Sequence, residues 1–119
     1  MARSETSPLR RTFPVPGGPP VRLRLAGPSD RPHIRALLAG RGIEAGDLEV
    51  RRLLAFDPSR RHVLCALAPI DGQETLVGLG AIDAGAEAPD VLVVDQRLGG
   101  LAAVLGRVLV ERARPRQAA

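Results

Sequence analysis

Hydrophobic spacing changes repeatedly along the chain, and each change marks a new element. Val21-Arg22-Leu23-Arg24-Leu25 alternates apolar and basic residues, the period of a half-buried strand. Gly27-Pro28-Ser29-Asp30 turns the chain. Ser29 or Asp30 can cap a helix there, with Pro32 tolerated in its first turn, where a missing N–H has no helical partner. Ile34, Leu37 and Leu38 form the stripe of that helix, and Gly40 to Gly42 end it. A second helix is expected over residues 45–56, with Val50, Leu53 and Leu54 on one face and Asp57-Pro58 as its stop. Residues 61–68 and 75–83 are apolar and partly β-branched, and they flank Asp71-Gly72, a hairpin signal. Gly78 and Gly80 inside the second strand suggest a bulge or a close backbone approach. Residues 84–89 read as a loop. Val91-Leu92-Val93-Val94 is continuously apolar, as a strand buried on both faces would be. Leu101, Val104, Leu105, Val108 and Leu109 then follow the helical i, i+3, i+4, i+7, i+8 template.

These elements predict one α/β or α+β domain, a mainly antiparallel sheet of about four strands with about three helices. Residues 1–20 read as a tail, disordered or an extended lead-in, because Pro and Gly interrupt every period. Arg10-Arg11 resembles part of a twin-arginine export signal, but no apolar stretch follows it. Residues 115–119 read as a frayed end.

Composition narrows the function classes. All 17 basic residues are Arg, and the net charge is +4. With two Phe, no Tyr and no Trp, the chain lacks the stacking aromatics of a nucleic-acid reader, which argues against that partner. The lone Cys65 excludes an internal disulfide framework and a multi-cysteine zinc site, and two isolated histidines argue against a metal centre. Cys65 reads as an inert core thiol. His33 reads as an exposed helix residue, His62 as a strand-edge one, and Arg51, Arg52, Arg60 and Arg61 as solvated charges. No apolar run approaches the length of a membrane span, so a cytoplasmic protein without a membrane partner is expected.

The stretch that could carry chemistry runs from Val91 to Arg114. A strand passes through Asp95-Gln96-Arg97 into Leu98-Gly99-Gly100-Leu101-Ala102 and then into a helix. A helix start offers unpaired amides and a positive dipole end, and small residues let a phosphate or carboxylate approach it. Arg97 could add a charged fork. Glycines at that place also have a plain explanation, since they permit a tight strand-to-helix turn.

Arg97-Leu98-Gly99-Gly100-Leu101-Ala102 fits the pattern Arg/Gln-x-x-Gly-x-Gly/Ala and resembles the acyl-CoA pyrophosphate loop of the GNAT acetyltransferase superfamily. The order strand, two helices, three-strand meander, helix is similar to that family's N-terminal half, over about residues 21–114. The resemblance implies acetyl-CoA or CoA as cofactor and no metal. It implies that the backbone of Val93 and Val94 faces the pantetheine arm. The amides of Leu98, Gly99, Gly100, Leu101 and Ala102 would hold the diphosphate, and Asp95 is the nearest carboxylate for a general base on an acceptor amine. The pattern stops after the cofactor helix, and the chain has no tyrosine to act as general acid. The expectation is therefore an N-acetyltransferase-like, acyl-CoA-binding protein or a non-catalytic descendant lacking the usual C-terminal half. The alternative is an interaction module whose Val91–Val94 edge pairs with a second copy or a partner chain.

Overall fold

The computed structural model describes residues 12–115. The readings made on residues 1–11 and 116–119 lie outside these. The chain builds an α+β fold: an open, antiparallel five-strand sheet with three helices. In chain order the elements are β1 (Thr12–Phe13), β2 (Val21–Leu25), α1 (Arg31–Gly40), α2 (Asp47–Leu54), β3 (Arg61–Ile70), β4 (Gln73–Asp83), β5 (Val91–Val94) and α3 (Leu101–Ala113). The strands lie side by side in that same order, β1-β2-β3-β4-β5.

The helices divide between the two faces. Ile34, Leu37 and Leu38 of α1 and Val50 of α2 pack on Val63, Cys65, Leu79 and Ala81. Leu101, Val104, Leu105, Leu109 and Ala113 of α3 pack on Val21, Leu23, Leu64, Ala66, Val77 and Ile82. Both faces of β3 and β4 are thus covered, which is why these strands read as unbroken apolar runs.

The β3–β4 hairpin is the spine of the molecule. Ile70 pairs with Gln73, leaving Asp71 and Gly72 as a two-residue turn with φ of 52° and 80°. Positive φ at both positions is the primed turn whose twist matches the strands, so both strands run longer than their apolar cores suggest. The pairing passes from Ala66–Gly78 to Leu67–Leu76, leaving Val77 as the extra residue of a β-bulge. Its carbonyl accepts the Asp95 amide at 2.8 Å and anchors the end of β5. Gly78 and Gly80 let α3 approach: a Cβ on Gly80 would overlap Leu109 Cδ1 and stand 3.3 Å from Leu105 Cγ.

Three expectations are corrected. The sheet gains a strand because the Pro-rich lead-in is not all tail: Thr12 and Phe13 pair with Arg22 and Val21, and Val15 is buried with Leu98 and Leu101. Val91–Val94 is not buried on both faces. It has β4 on one side, is an edge among the described strands, and leaves Leu92 39% exposed. Arg61 is not a free loop charge, since its guanidinium holds Asp83 at 2.8 Å and Asp90 at 2.9 Å, clamping β3 to β4 and to the loop before β5.

His33 is exposed, as read. Burial pushes the Cys65 thiol up to about 12, which leaves it protonated and inert. No helix among the described residues is long and apolar enough to cross a membrane.

Candidate functional site

The segment singled out in the sequence joins β5 to α3. After Val94 the chain makes one 3-10 turn over Gln96–Leu98, passes Gly99 and Gly100, and enters α3 at Leu101. Leu98 and Leu101 are buried and fix the segment to the core, while Gly99 is exposed and Gly100 and Ala102 are partly exposed. The small residues therefore sit at the surface and the large ones beneath.

Asp95 organises the turn. One of its oxygens, Oδ1, accepts the backbone amide of Arg97 and the Arg97 Nε, each at 2.9 Å, and Oδ2 accepts Arg97 Nη2 at 2.7 Å. The Arg97 guanidinium holds the Asp95 carboxyl far below its ordinary range, at about 2, with help from the Arg97 amide. A proton acceptor works best with a pKa near the operating pH. Asp95 at about 2, with both oxygens occupied, orients Arg97 and closes the turn; at neutral pH it is a poor base. The amide of Leu98 is also used internally, by the Asp95 carbonyl at 2.9 Å.

The two glycines differ. At Gly100 an added Cβ would stand 2.9 Å from the carbonyl oxygen of Pro16 and 3.2 Å from its ring. A neighbouring segment crosses there, and packing alone accounts for a glycine. Gly99 has a helical φ of −57° and open space where a Cβ would be. Neither conformation nor packing asks for a glycine at that position.

Asp95, Gln96 and Arg97 also border a cavity of about 340 Å³, closed on the other side by Leu37, Gly40 and Arg41 of the α1 end. Arg41 Nη1 donates to Gln96 Oε1 at 3.4 Å, joining two of its lining residues. A second hollow, between α3 and the loop before β5, is lined by Ala102, Ala103, Gly106 and the exposed Leu92. The segment thus separates two surfaces. Leu98, Gly99, Gly100 and Leu101 line neither, and Val93 and Val94 lie partly buried on the strand leading to them.

Sequence reasoning missed the crossing by Pro16 and the cavity against α1, because both depend on contacts between distant parts of the chain. The Asp95–Arg97 pairing had a local signal: an Asp whose side chain can accept an amide two residues on. The chain matches no family model, no curated protein and no solved structure.

Proposed function

We propose that this domain binds acyl-CoA or CoA through the start of α3, with the diphosphate against the amides of residues 99–102. What carries the reading is Gly99, an uncovered glycine at the head of a 13-residue helix, where neither fold nor packing requires one. Helix-start amides and the dipole favour an anion there, and the missing side chain admits it. The order of elements, which resembles that of the acetyltransferase family's N-terminal half, supports the same reading. The pantetheine arm would run along Val93 and Val94, the last residues before the turn. Should an acyl group be passed to an amine, the proton acceptor must be a group other than Asp95.

The test is thermal denaturation with acetyl-CoA. A tenfold excess over Kd adds about 1.4 kcal/mol, a rise of about 5 °C or more for a domain of this size. Gly99→Glu puts a carboxylate where the diphosphate would rest, in a place where the fold has room for it. That variant is expected to keep the unliganded Tm and lose the rise. Absence of any rise in the native chain at millimolar acetyl-CoA refutes the proposal.

A second reading rests on β5. Its apolar edge, with Leu92 exposed, suits antiparallel pairing with β5 of a second copy, the self-complementary contact of a two-fold dimer. Light scattering decides it: a dimer that becomes monomeric in Leu92→Lys supports pairing, and a monomeric native chain ends it.

A further inference from the structure

The cavity of about 340 Å³ beside the β5–α3 turn brings together residues from three distant parts of the chain. On α1, His33, Leu37, Gly40 and Arg41 follow the spacing of one helical face. On β4, Leu76 forms part of the wall, and the register explains how the turn reaches it. Gly78 pairs with Val94 and the Asp95 amide donates to the Val77 carbonyl at 2.8 Å, so Asp95, Gln96 and Arg97 come beside the residues that precede the bulge. Leu37 and Leu76 are buried and give the cavity an apolar floor. Gly40 leaves the wall open, with nothing standing where its Cβ would be. Packing does not ask for a glycine there, and the left-handed residue that follows α1 is Gly42 instead. The last carbonyls of the helix, those of Leu38 and Ala39, accept the amides of Arg41, Gly42 and Ile43, which softens the negative end of α1 beside the cavity.

Charge is unbalanced around this floor. The cavity is lined by two guanidiniums, of Arg41 and Arg97, and by a single carboxylate, of Asp95. Arg97 spends Nε and Nη2 on Asp95, and its Nη1 has no acceptor among the described residues. Arg41 meets no carboxylate there; its one acceptor among the described residues is the neutral Gln96 side chain at 3.4 Å, a long bond. The Arg97 guanidinium does most to lower the Asp95 carboxyl, and the Arg41 charge adds to it, so the two cations share one field. One positive charge is left over, with unused donors on both arginines, and a guanidinium fork matches a carboxylate. We propose that the cavity binds a small monocarboxylate with an apolar body, the carboxylate held by Arg41 and Arg97 and the body against Leu37 and Leu76. The surplus of one charge favours a monoanion over a dianionic phosphate. The volume lies at the lower end of small-molecule sites, roughly 300–1,000 Å³, which keeps the body short. None of residues 98–102 lines the cavity, so the proposal does not depend on the acyl-CoA reading.

Hexanoate is the probe, titrated into the isotope-labelled full chain and followed by amide NMR. Its binding is expected to be saturable with a millimolar Kd, the range open to so small a ligand, and to move the signals of Gly40, Arg41, Gln96 and Arg97. Hexanamide has the same shape without the charge and is expected to bind at least about tenfold more weakly. Acetate lacks the body and is expected to bind at least about fivefold more weakly. Arg41→Gln is expected to weaken hexanoate at least about fivefold; Arg41 is exposed, so the substitution leaves the fold in place. Arg35→Gln removes the same charge from a part of α1 outside the cavity and is expected to leave Kd unchanged. Lack of any saturable shift up to tens of millimolar overturns the proposal, and so does equal binding by the native and Arg41→Gln chains. Equal weakening by Arg35→Gln overturns it as well, since attraction would then follow net charge alone. Hexanamide as tight as hexanoate defeats the role of the arginines, and acetate as tight as hexanoate defeats that of the apolar floor. Hexyl phosphate that outbinds hexanoate overturns the choice of a carboxylate. None of these outcomes bears on acetyl-CoA at the start of α3, which thermal denaturation reads separately.

Discussion

Gly80→Val is expected to destabilise the domain by about 3 kcal/mol and lower Tm by more than about 10 °C. Gly80 lies on β4 where α3 comes closest to the sheet, and even one added carbon would overlap Leu109. Leu105 and Leu109 are both fully buried, so neither can swing into solvent to make room. The helix must move outward, loosening the layer formed by Leu101, Val104, Leu105 and Leu109. A domain of ordinary stability has about 5–15 kcal/mol in total, so this one change uses a large part of it. Gly40→Ala is the control. It lies at the end of α1 with open space around it, and its Tm is expected to hold or rise slightly. Chemical denaturation of the three proteins checks the ranking; a Gly80→Val chain as stable as the native one refutes the account of this contact.

Asp30→Ala is expected to cost about 2–3 kcal/mol. Asp30 is the one buried charged residue among the described residues, and it is fully used. Its carboxylate accepts Arg24 Nη2 at 2.7 Å, Arg24 Nη1 at 2.9 Å and the Gly27 amide at 2.8 Å, joining β2 to the turn before α1. Removing it leaves the Gly27 amide without that acceptor and lets Arg24, already half exposed, return to water; the second effect keeps the loss below that of a fully buried pair. The Arg24 guanidinium holds the Asp30 carboxyl below its ordinary 3.8. A carboxyl lowered by folding contributes stability that is complete above its unfolded value and is lost as pH falls through its folded value. The gap between native and Asp30→Ala chains should therefore be constant near neutrality and shrink as pH drops below about 4. Urea titrations at several pH values read that gap directly, and a gap that widens in acid contradicts the assignment.

Much of this architecture is legible locally. Ile34, Leu37 and Leu38 sit on one helical face, Asp71-Gly72 makes the turn its composition specifies, and the α3 stripe from Leu101 to Leu109 packs as spaced, with Val108 at its partly buried margin. What was hidden depends on contacts between distant parts of the chain. Val15 stands among prolines and glycines with no period around it, and its burial comes from a core cluster most of whose members, Leu98 and Leu101 among them, lie far along the chain. A four-residue apolar run such as Val91–Val94 reads the same whether one or two strands flank it, because Val91 and Val93 pack toward one core cluster and Val94 toward the other while Leu92 stays exposed. Arg61 faces Asp83 across the hairpin only because the Val77 bulge shifts the register by one, and Asp90 reaches it from the loop that follows. Within the site, the exposure of Gly99 follows from its place between buried Leu98 and the helix start. The covering of Gly100 comes from Pro16, far upstream.

The matching order of strands in the chain and across the sheet has a consequence for how the molecule assembles. Each strand after β3 can add to the one formed just before it, so most of the sheet closes through short loops. The exception is the β2–β3 pair, whose strands are separated in the chain by α1 and α2. Short closures tend to make for quick folding. On that basis the β3–β4 hairpin, the longest pairing and the one with the tightest turn, is the natural nucleus, to which β2 adds along one edge and β5 along the other.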